Sequence, residues 1–377
     1  MKKSNTYAKI NLDNLLFNFE LIKKLHPEKK IISIVKADAY GHGAVTCSKC
    51  LQEYGTDYFA VSSIDEAIEL REAKISLPIM ILGYIDEHRI CEVFEYNIIP
   101  TVYSTSFANL LCDYASKLNT TIDVNIKIDT GMNRLGFKTN AQTLSKIINI
   151  NESMPNINIF GIFTHYATAD EQNLEFAKSQ HEKFTKIVCE LANNNIRPEL
   201  IHISNSAAIL GLENDISNAI RPGIIQYGIN PCEDTRKEEY SFKPVMSFHT
   251  NVANIYTVKK GESISYARKY IAQKDHKIAV ISCGYADGYS RTLSQKSEVF
   301  INGARARICG NICMDMMMVD ISNIENVKIG DEVELFGENI SAQEIATLIG
   351  TIAYEVCCTL NKRVNRMYLK NERIYCK

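Results

Sequence analysis

The sequence has little proline or glycine, no large excess of charge and no long apolar run. Only 8 of its 377 residues are proline and 18 are glycine, while 46% are hydrophobic and 23% are charged, a composition that excludes a disordered chain. The 44 acidic residues nearly balance the 42 Lys and Arg, and no basic run interleaves with aromatic residues, which disfavours a nucleic-acid groove. No segment reaches the roughly 18 apolar residues of a membrane span. We therefore predict a cytoplasmic globular protein that binds neither nucleic acid nor a membrane.

The twelve cysteines are spread over a long chain and are not packed into a small disulfide framework. We expect thiols that are not joined in disulfides. Cys47 and Cys50 form a C-x-x-C pair, but no second pair completes a zinc set, and Leu51 and Tyr54 favour a helix in which both thiols are small core residues. No metal site is predicted.

The length corresponds to two or three domains of about 100 to 200 residues each. Over residues 1–240, short apolar runs alternate with segments of helical periodicity, which is typical of strand–helix units around a parallel sheet. Eight runs predict a closed (β/α)8 barrel, with its chemistry at the carboxyl ends of the strands. The runs are Ile31–Val35, Tyr58–Ser62, Ile79–Leu82, Ile98–Val102, Val124–Ile128, Ile159–Thr164, Leu200–Ser204 and Ala219–Arg221.

Residues 241–377 contain several β-rich runs, and this change in pattern predicts a second, mainly β domain. A capping-box pattern at Ser341-Ala-Gln-Glu344 predicts that a helical segment over 341–360 interrupts the strands. The β-rich runs are Ser247–Val258, Lys277–Ser282, Glu298–Ile301 and Glu332–Leu335.

The sharpest local feature is Lys36, which follows a buried-looking strand and precedes the glycine-bracketed turn Tyr40-Gly-His-Gly43. A desolvated lysine amine has a lowered pKa and can form a Schiff base with a carbonyl compound, so Lys36 is a candidate covalent anchor. The alternative is an ordinary lysine at a strand end that extends into solvent.

Four other predicted strands also end in polar residues. One such residue is usually a hydrogen-bonding group only, but five strand ends on one face of a barrel indicate a binding site. The four segments are Lys127–Gly136, Thr164-His165-Tyr166, His202–Ser206 and Arg221-Pro-Gly-Ile224.

Nine segments, in a fixed order along the chain, resemble the motifs of one enzyme family. They are Lys36–Gly43, Lys127–Gly136, Phe163–Asp170, Asn205-Ser-Ala, Arg221-Pro-Gly-Ile, Ser265-Tyr266-Ala-Arg, Gly284-Tyr-Ala-Asp-Gly-Tyr, Cys313-Met-Asp and Ala353-Tyr354-Glu-Val. The family is that of the alanine racemases, fold type III enzymes that use pyridoxal 5′-phosphate (PLP). The resemblance implies a barrel with a β domain, the interconversion of L-alanine and D-alanine, and a supply of D-alanine for peptidoglycan.

The resemblance also implies catalytic roles for four residues. Lys36 would hold PLP as a Schiff base and then handle the proton on the D side, while Tyr266 would be the base for the L side. In the family that tyrosine comes from the other subunit of a homodimer, so each active site is shared. A tyrosine has a reference pKa near 10 and needs help to act as a base. By resemblance His165 supplies that help, oriented by Arg221, which would also donate to the pyridine nitrogen.

The remaining site residues follow from the same resemblance. Arg134 and the backbone amide of Met314 would hold the substrate carboxylate, with Arg134 positioned by Lys127, a lysine that is carbamylated in many family members. The full cofactor-binding set is Lys36, Tyr40, His165, Asn205, Ser206, Arg221, Gly223, Ile224 and Tyr354.

One departure from the family pattern bears on Tyr266. Ala267 follows it where glycine is usual, so its methyl group would be strained if the loop needs a positive φ.

Three other functions are alternatives to alanine racemisation. A serine-preferring racemase uses the same chemistry, but Tyr354 disfavours it, because serine-preferring relatives carry a smaller polar residue there. A PLP-barrel decarboxylase of the ornithine or diaminopimelate type would need a cysteine-and-aspartate motif near the C-terminus that is not visible. A PLP-binding regulatory protein is usually a barrel alone and would leave the domain that bears Tyr266 without a purpose.

Overall fold

The computed structural model describes residues 5–212, 216–232, 240–371 and 373–376. The chain divides into two compact units. The barrel unit comprises Leu16–Ala39 and the described parts of Ala44–Phe242. The β unit comprises the described parts of Met1–Leu15, Tyr40–Gly43 and Lys243–Lys377.

The barrel unit is built on nine parallel strands that form a nearly closed barrel, so the expected barrel is confirmed. In order around the sheet, each pairing with the next, they are Ile98–Ile99, Ile79–Ile81, Tyr58–Val61, Lys30–Ile34, Ala219–Ile220, Leu200–His202, Ile157–Phe163, Ile122–Asp129 and Thr101–Val102.

The nine strands match the eight predicted runs, because one run is divided in two. Pro100 separates Ile98–Ile99 from Thr101–Val102, and proline has no N–H to donate to a strand ladder. Its carbonyl still accepts a hydrogen bond from the Asn125 amide at 2.9 Å. The first and last strands of the path are therefore neighbours in sequence. A tenth short strand, Phe137–Lys138, pairs with Ile122–Asp129 alone.

Helices follow the barrel strands, and several begin at a side chain that caps the first turn. Ser63 forms a capping box with Glu66, and Ser104 and Asn140 accept from backbone amides of the helices they precede. The longest helix buries Phe184, Ile187 and Leu191, which lie on one face at helical spacing. The helices are Leu12–Leu25, which is divided between the two units, Ala44–Tyr54, Ile64–Glu72, Ile90–Glu95, Thr105–Lys117, Ala141–Ser153, Glu175–Asn193 and Ser206–Ile209, with 3-10 turns at Glu87–Arg89 and Ile224–Tyr227.

Cys47 and Cys50 lie on the helix Ala44–Tyr54, as predicted, and both side chains are buried. They are small members of the packed interior. Among the described residues, no group of three or more His, Cys, Asp or Glu side chains is arranged to hold a metal ion.

The β unit contains a nine-stranded sheet, which confirms the mainly β prediction. Its central strand, Met246–Val258, pairs antiparallel with Tyr7–Asn11, Glu332–Phe336 and His276–Ile281. The other strands are Glu298–Ile301, Ala304–Arg307, Met317–Asp320, Asn365–Lys370 and Arg373–Cys376, and a separate two-stranded hairpin consists of Ser263–Ile264 and Tyr270–Ile271.

The helical segment expected over 341–360 begins as predicted but divides into two helices. The Ser341 hydroxyl accepts from the Glu344 amide at 3.0 Å and starts the helix Ala342–Ile349. Gly350, with φ +73°, ends it in the left-handed conformation that glycine adopts at helix ends, and a second helix spans Ala353–Cys358. No helix of the described residues is both long and apolar enough to cross a membrane.

Candidate active site

Lys36 begins a left-handed turn directly after the barrel strand Lys30–Ile34. Ala37, Asp38 and Ala39 have φ of 52–54° and ψ of 47–51°, a conformation that costs non-glycine residues about 1–2 kcal/mol each. The Asp38 carboxylate accepts from the Ala44 amide at 2.7 Å. Backbone strain of this kind persists only where the surroundings fix it, and it is typical of functional sites.

The end of the strand before Lys36 is fixed by two buried side chains that sequence reasoning missed. The Gln226 amide and the Tyr227 hydroxyl both donate to the carbonyl of Ile34, each at 2.9 Å. Both side chains are almost fully buried. Both residues closely follow the Arg221-Pro-Gly-Ile motif in the sequence, and this position could have drawn attention to them. Nothing in the spacing indicates that they bind the Ile34 carbonyl.

Arg221 is buried and donates to two backbone carbonyls and two histidines. Its terminal nitrogens lie 2.8 Å from the Thr164 oxygen, 2.9 Å from the Ile203 oxygen, 2.8 Å from His202 Nδ1 and 3.3 Å from His165 Nδ1. Burial lowers the pKa of Arg221 to about 9, so the guanidinium remains charged at neutral pH. The predicted pair Arg221 and His165 is thus in contact, and His202 is a second partner to which the sequence assigned no role.

Both histidines are neutral and their tautomer follows from the contacts. Burial, followed by the charge of Arg221, holds the pKa of His165 and of His202 well below the usual range. An arginine can only donate, so each Nδ1 accepts and each Nε2 carries the ring proton. The His202 ring also stacks on Phe163, with ring centres 4.8 Å apart.

Lys127 lies in the same region with its amine over an aromatic face. Its Nζ is 4.2 Å from the centre of the Phe163 ring, and the side chain is 7% exposed. Burial, then Arg221 and Arg134, lower the pKa of Lys127 well below the usual range, against the opposing effect of Asp129. The charges of Arg221 and Arg134 therefore act on a largely desolvated lysine, an arrangement that favours an anionic occupant.

Ser206 and Gly223, two predicted cofactor-binding residues, are in contact. The Gly223 amide donates to the Ser206 hydroxyl at 2.9 Å, and the Ile225 amide lies 3.5 Å from the same oxygen. Asn205 caps the short helix that begins at Ser206 by accepting from the Ala208 amide at 3.1 Å. Ile224 follows in the chain and is fully buried.

In the β unit, the predicted residues Tyr40 and Tyr354 lie together. Their ring centres are 6.0 Å apart, and burial raises the pKa of Tyr40, with a further effect of Tyr354. Gly41, with φ +82°, follows Tyr40, and a Cβ atom there would lie 2.2 Å from the carbonyl oxygen of Cys357. Only glycine allows this close approach beside Tyr40.

Tyr266 lies at the tip of the two-stranded hairpin, and its side chain is 70% exposed. Ser265, Ala267 and Arg268 all have positive φ, of 67°, 62° and 51°. Ala267 therefore has the positive φ at which its methyl group is expected to be strained. The Tyr266 carbonyl accepts from the Asn311 amide nitrogen at 2.8 Å.

Met314 lies in a neighbouring loop of the β unit and is also exposed, at 54%. Its carbonyl accepts from the Ala286 amide at 2.9 Å, and the Cys313 carbonyl accepts from Tyr285 at 3.1 Å. A Cβ atom at Gly284 would lie 2.3 Å from both carbonyl oxygens. The Gly284-Tyr-Ala-Asp motif thus supports the loop of Met314.

The structure brings the predicted site residues together in two groups, one in each unit. In the barrel unit, His165, Arg221 and Lys127 are linked by hydrogen bonds or electrostatic influence, and the charge of Lys36 also lowers the pKa of His165. In the β unit, Tyr40 lies against Tyr354, and Asn311 binds the Tyr266 loop two residues before Cys313. Arg134 is exposed at the end of the strand that carries Lys127.

Comparison with known proteins agrees over nearly the whole chain. The family models described as alanine racemase N-terminal domain and C-terminal domain match residues 10–231 and 245–368. The alanine racemase of Clostridium novyi is 44% identical, over 98% of this chain and 96% of its own, and alanine racemase 1 of Clostridium acetobutylicum is 42% identical over the same shares.

Solved structures give the same result. The alanine racemase of Clostridium difficile 630 has a TM-score of 0.96 and 39% identity, covering 100% of this chain and 98% of that one. The alanine racemase of Bacillus anthracis with bound L-Ala-P has a TM-score of 0.93 and 33% identity, covering 99% and 97%. The chain belongs to the alanine racemase family.

Proposed function

We propose that this chain interconverts L-alanine and D-alanine with PLP as cofactor, removing the α-proton from one face and returning a proton to the other. The observation that carries the proposal is the buried group formed by Arg221, His165 and Lys127, which shares the barrel unit with Lys36 in a member of the alanine racemase family. The relatives are named alanine racemases, which disfavours the serine-preferring, decarboxylase and binding-protein alternatives.

The predicted cofactor-binding residues fit an anionic pyridine cofactor. The hydrogen bonds described for Arg221 use its two terminal nitrogens, so its Nε–H is a candidate donor to the pyridine nitrogen. A permanently charged arginine would leave that nitrogen unprotonated. Ser206, the amides of Gly223 and Ile224, Tyr40 and Tyr354 would hold the phosphate, with Asn205 fixing the helix turn that presents Ser206.

Lys36 would hold the aldehyde carbon of the cofactor and, once released by the substrate amine, take or return the proton on the D face. When bound, PLP withdraws electrons from the α-carbon and so makes its hydrogen acidic. The left-handed turn fixes the backbone that directly follows Lys36, which favours one position of the amine.

Tyr266 would take or return the proton on the L face. Because Arg221 fixes His165 as a neutral ring with its proton on Nε2, His165 can donate to a tyrosine oxygen and stabilise its anion. That donation lowers the proton affinity of a phenol whose reference pKa is near 10.

Arg134 and the Met314 amide would bind the substrate carboxylate. We further propose that Lys127 reacts with carbon dioxide to form a carbamate, releasing one proton, and that this anion pairs with Arg134. The lowered pKa of Lys127 supports the reaction, since a neutral amine is the nucleophile that it requires. Lys127→Ala should then raise the KM for alanine, and an unchanged KM and kcat would contradict the modification.

The proposal includes a homodimer in which Tyr266 completes the site of the partner. The 70% exposure of Tyr266 and the 54% exposure of Met314, in neighbouring loops, support this surface as a contact. The D-alanine would be supplied in the cytoplasm as a precursor of peptidoglycan.

The test is chiral chromatography of the products after the protein and PLP are incubated with L-alanine or L-serine in separate reactions. D-alanine should be the predominant product and D-serine a minor one, since an added hydroxyl on the substrate changes binding only modestly. Predominant D-serine would overturn the substrate, and no D-product would overturn the function. Lys36→Ala is the inactive control.

A further inference from the structure

The hairpin that presents Tyr266 is held to the rest of the β unit by few backbone contacts. It spans 261–272, here called the Tyr266 hairpin, and pairs Ser263 with Ile271 and Ile264 with Tyr270 in a sheet of its own. An isolated two-stranded hairpin is only marginally stable in water. Its tip also carries three non-glycine residues with positive φ. A strained tip on a marginal hairpin needs side chains that fix it in place.

One attachment holds the tip. The Ser265 hydroxyl donates to the Asn311 carbonyl at 2.6 Å, and the Asn311 side chain donates to the Tyr266 carbonyl at 2.8 Å. Both bonds lie next to the Tyr266 backbone, and they fix its loop to the segment that leads to Met314.

A second attachment holds the stem through a chain of three side chains. The Tyr270 hydroxyl lies 3.3 Å from His276 Nε2, and His276 Nδ1 lies 2.7 Å from the Asp320 carboxylate. His276 is 7% exposed. The three residues thus form an Asp–His–Tyr sequence, buried at its central histidine, that the reaction outlined above does not use.

The direction of the hydrogen bonds is set by the carboxylate. The Asp320 carboxylate only accepts, so His276 Nδ1 carries a proton and donates it, and the Tyr270 hydroxyl lies against Nε2. Ser322 donates to the other oxygen of Asp320 from its amide at 2.9 Å. The Asp320 carboxylate is thus held through both of its oxygens.

The other end of the chain lies in the packed sheet. Asp320 and His276 belong to strands that pair antiparallel, with Ile278 opposite Asp320. A buried apolar cluster beneath the hairpin joins residues of the stem to these strands. Its members are Val258, Ile264, Ala272, Ile278, Cys309 and Met318.

We propose that Asp320, His276 and Tyr270 are positioning residues that fix the Tyr266 hairpin and hold the Tyr266 hydroxyl at its reacting position. The inference rests on the proposed function of Tyr266 as the base for the L face. Tyr270 is four residues from Tyr266, so a small rotation of the stem moves the phenol at the tip. A misplacement of about 1 Å can cost on the order of a hundredfold in rate.

The experiment measures exchange of the α-proton with D₂O in the recovered L-alanine and D-alanine, using the PLP-loaded enzyme. Tyr270→Phe keeps the ring in the apolar cluster and removes only the hydroxyl. It should slow exchange from L-alanine on the order of tenfold, which is less than the cost of a full 1 Å displacement of the phenol. Exchange from D-alanine should stay near the wild-type rate. General destabilisation would slow both exchanges alike and would overturn the proposal.

Three further variants test the other two residues of the Asp–His–Tyr sequence. His276→Gln should show the same one-sided loss, and so should Asp320→Ala, whereas Asp320→Asn retains an acceptor oxygen for Nδ1–H and should recover much of the rate. If Tyr270→Phe did not fold, the contrast between Asp320→Ala and Asp320→Asn would decide the question. His249→Gln is the matched control, because His249 is a buried histidine of the same unit, stacked on Tyr7 and outside the hairpin. It should leave the ratio of the two exchange rates unchanged.

Tyr266→Phe separates failure of this inference from failure of the proposed function. If Tyr266→Phe slows both exchanges equally, the base assignment is wrong. If Tyr266→Phe is one-sided and Tyr270→Phe is not, the base assignment holds and the positioning role is wrong. On the Tyr266→Phe background, Tyr270→Phe should add no further loss, because the two residues act through one group.

Discussion

At the scale of single residues, Arg221 determines the electrostatics of the barrel unit. Its hydrogen-bond acceptors are two backbone carbonyls and two neutral imidazoles. Arginine is suited to this position because its guanidinium is weakly hydrated and stays charged when buried. Burial, followed by the charge of Arg221, lowers the pKa of His165 and of His202, so this cation adds to the effect of burial in keeping two neighbours neutral.

His202→Phe should show how much Arg221 depends on its second histidine. The substitution keeps an aromatic ring against Phe163 but removes the acceptor that lies 2.8 Å from the guanidinium. A buried donor left without its acceptor costs about 1–3 kcal/mol, so the free energy of unfolding should fall by that amount. Racemisation should also slow, because Arg221 then orients His165 less firmly.

Urea unfolding and steady-state rates measure both effects. His202→Asn is the control, since its amide oxygen can accept from Arg221 in place of Nδ1 and should restore part of the stability. A His202→Phe variant as stable as the wild type would show that Arg221 does not need this acceptor.

At the scale of elements, the turn after Lys36 shows why the glycines of its motif are required. Gly41 and Gly43 both have positive φ, and a Cβ atom at either would collide with another part of the β unit. Gly55, at the end of the helix Ala44–Tyr54, also has a positive φ, of 105°, but no atom lies within 4 Å of a Cβ placed there. A comparison of Gly41 with Gly55 therefore separates the effect of a positive φ from the effect of close contact with a neighbouring atom.

Gly41→Ala should therefore destabilise the protein more than Gly55→Ala. Each substitution places alanine in the left-handed region, at a cost of about 1–2 kcal/mol. Gly41→Ala adds a contact of 2.2 Å with the Cys357 oxygen, which must move, and it should also weaken PLP binding because Tyr40 is adjacent. Thermal unfolding and a PLP titration measure these effects, and equal losses from the two variants would contradict the role given to the close approach.

The elements also show which parts of the structure can be predicted from the sequence. Apolar runs predicted all eight barrel positions, because burial on both faces selects continuous Ile and Val segments. The same runs could not predict the left-handed turn at Ala37–Ala39, since alanine has no local preference for positive φ. Likewise, His276 and Asp320 carry no motif, and only the antiparallel pairing of their strands places them in contact. The site residues predicted from the family resemblance remain to be tested.

At the scale of the whole molecule, buried neutral histidines should make stability depend on pH. Burial, then the charge of Lys9, lowers the pKa of His249 to about 4 from an ordinary value of 6.5. The unfolded chain then binds more protons than the folded one between these values, so the free energy of unfolding rises with pH across that window. The stabilisation is present above pH 6.5 and is lost as the pH falls toward 4.

Urea unfolding between pH 7 and 4.5 tests this expectation. For His249 the loss is at most about 3 kcal/mol, and His165 and His202 change in the same direction. His249→Gln should flatten part of the slope, because glutamine does not titrate. A free energy of unfolding that stays constant between pH 6.5 and 4.5 would mean that protonation of these histidines does not destabilise the folded protein.

The proposal that two subunits share each active site can be tested by mixing two inactive variants. If Lys36 of one subunit works with Tyr266 of its partner, a mixed dimer of Lys36→Ala and Tyr266→Phe contains one site with both defects and one site with neither. Random exchange of subunits makes half of the dimers mixed, so a one-to-one mixture should recover about a quarter of the wild-type activity. If each subunit instead supplied both of its own bases, every site would keep one defect. Mixed dimers isolated with two different affinity tags would then be inactive, and the exposed Tyr266 would need another explanation.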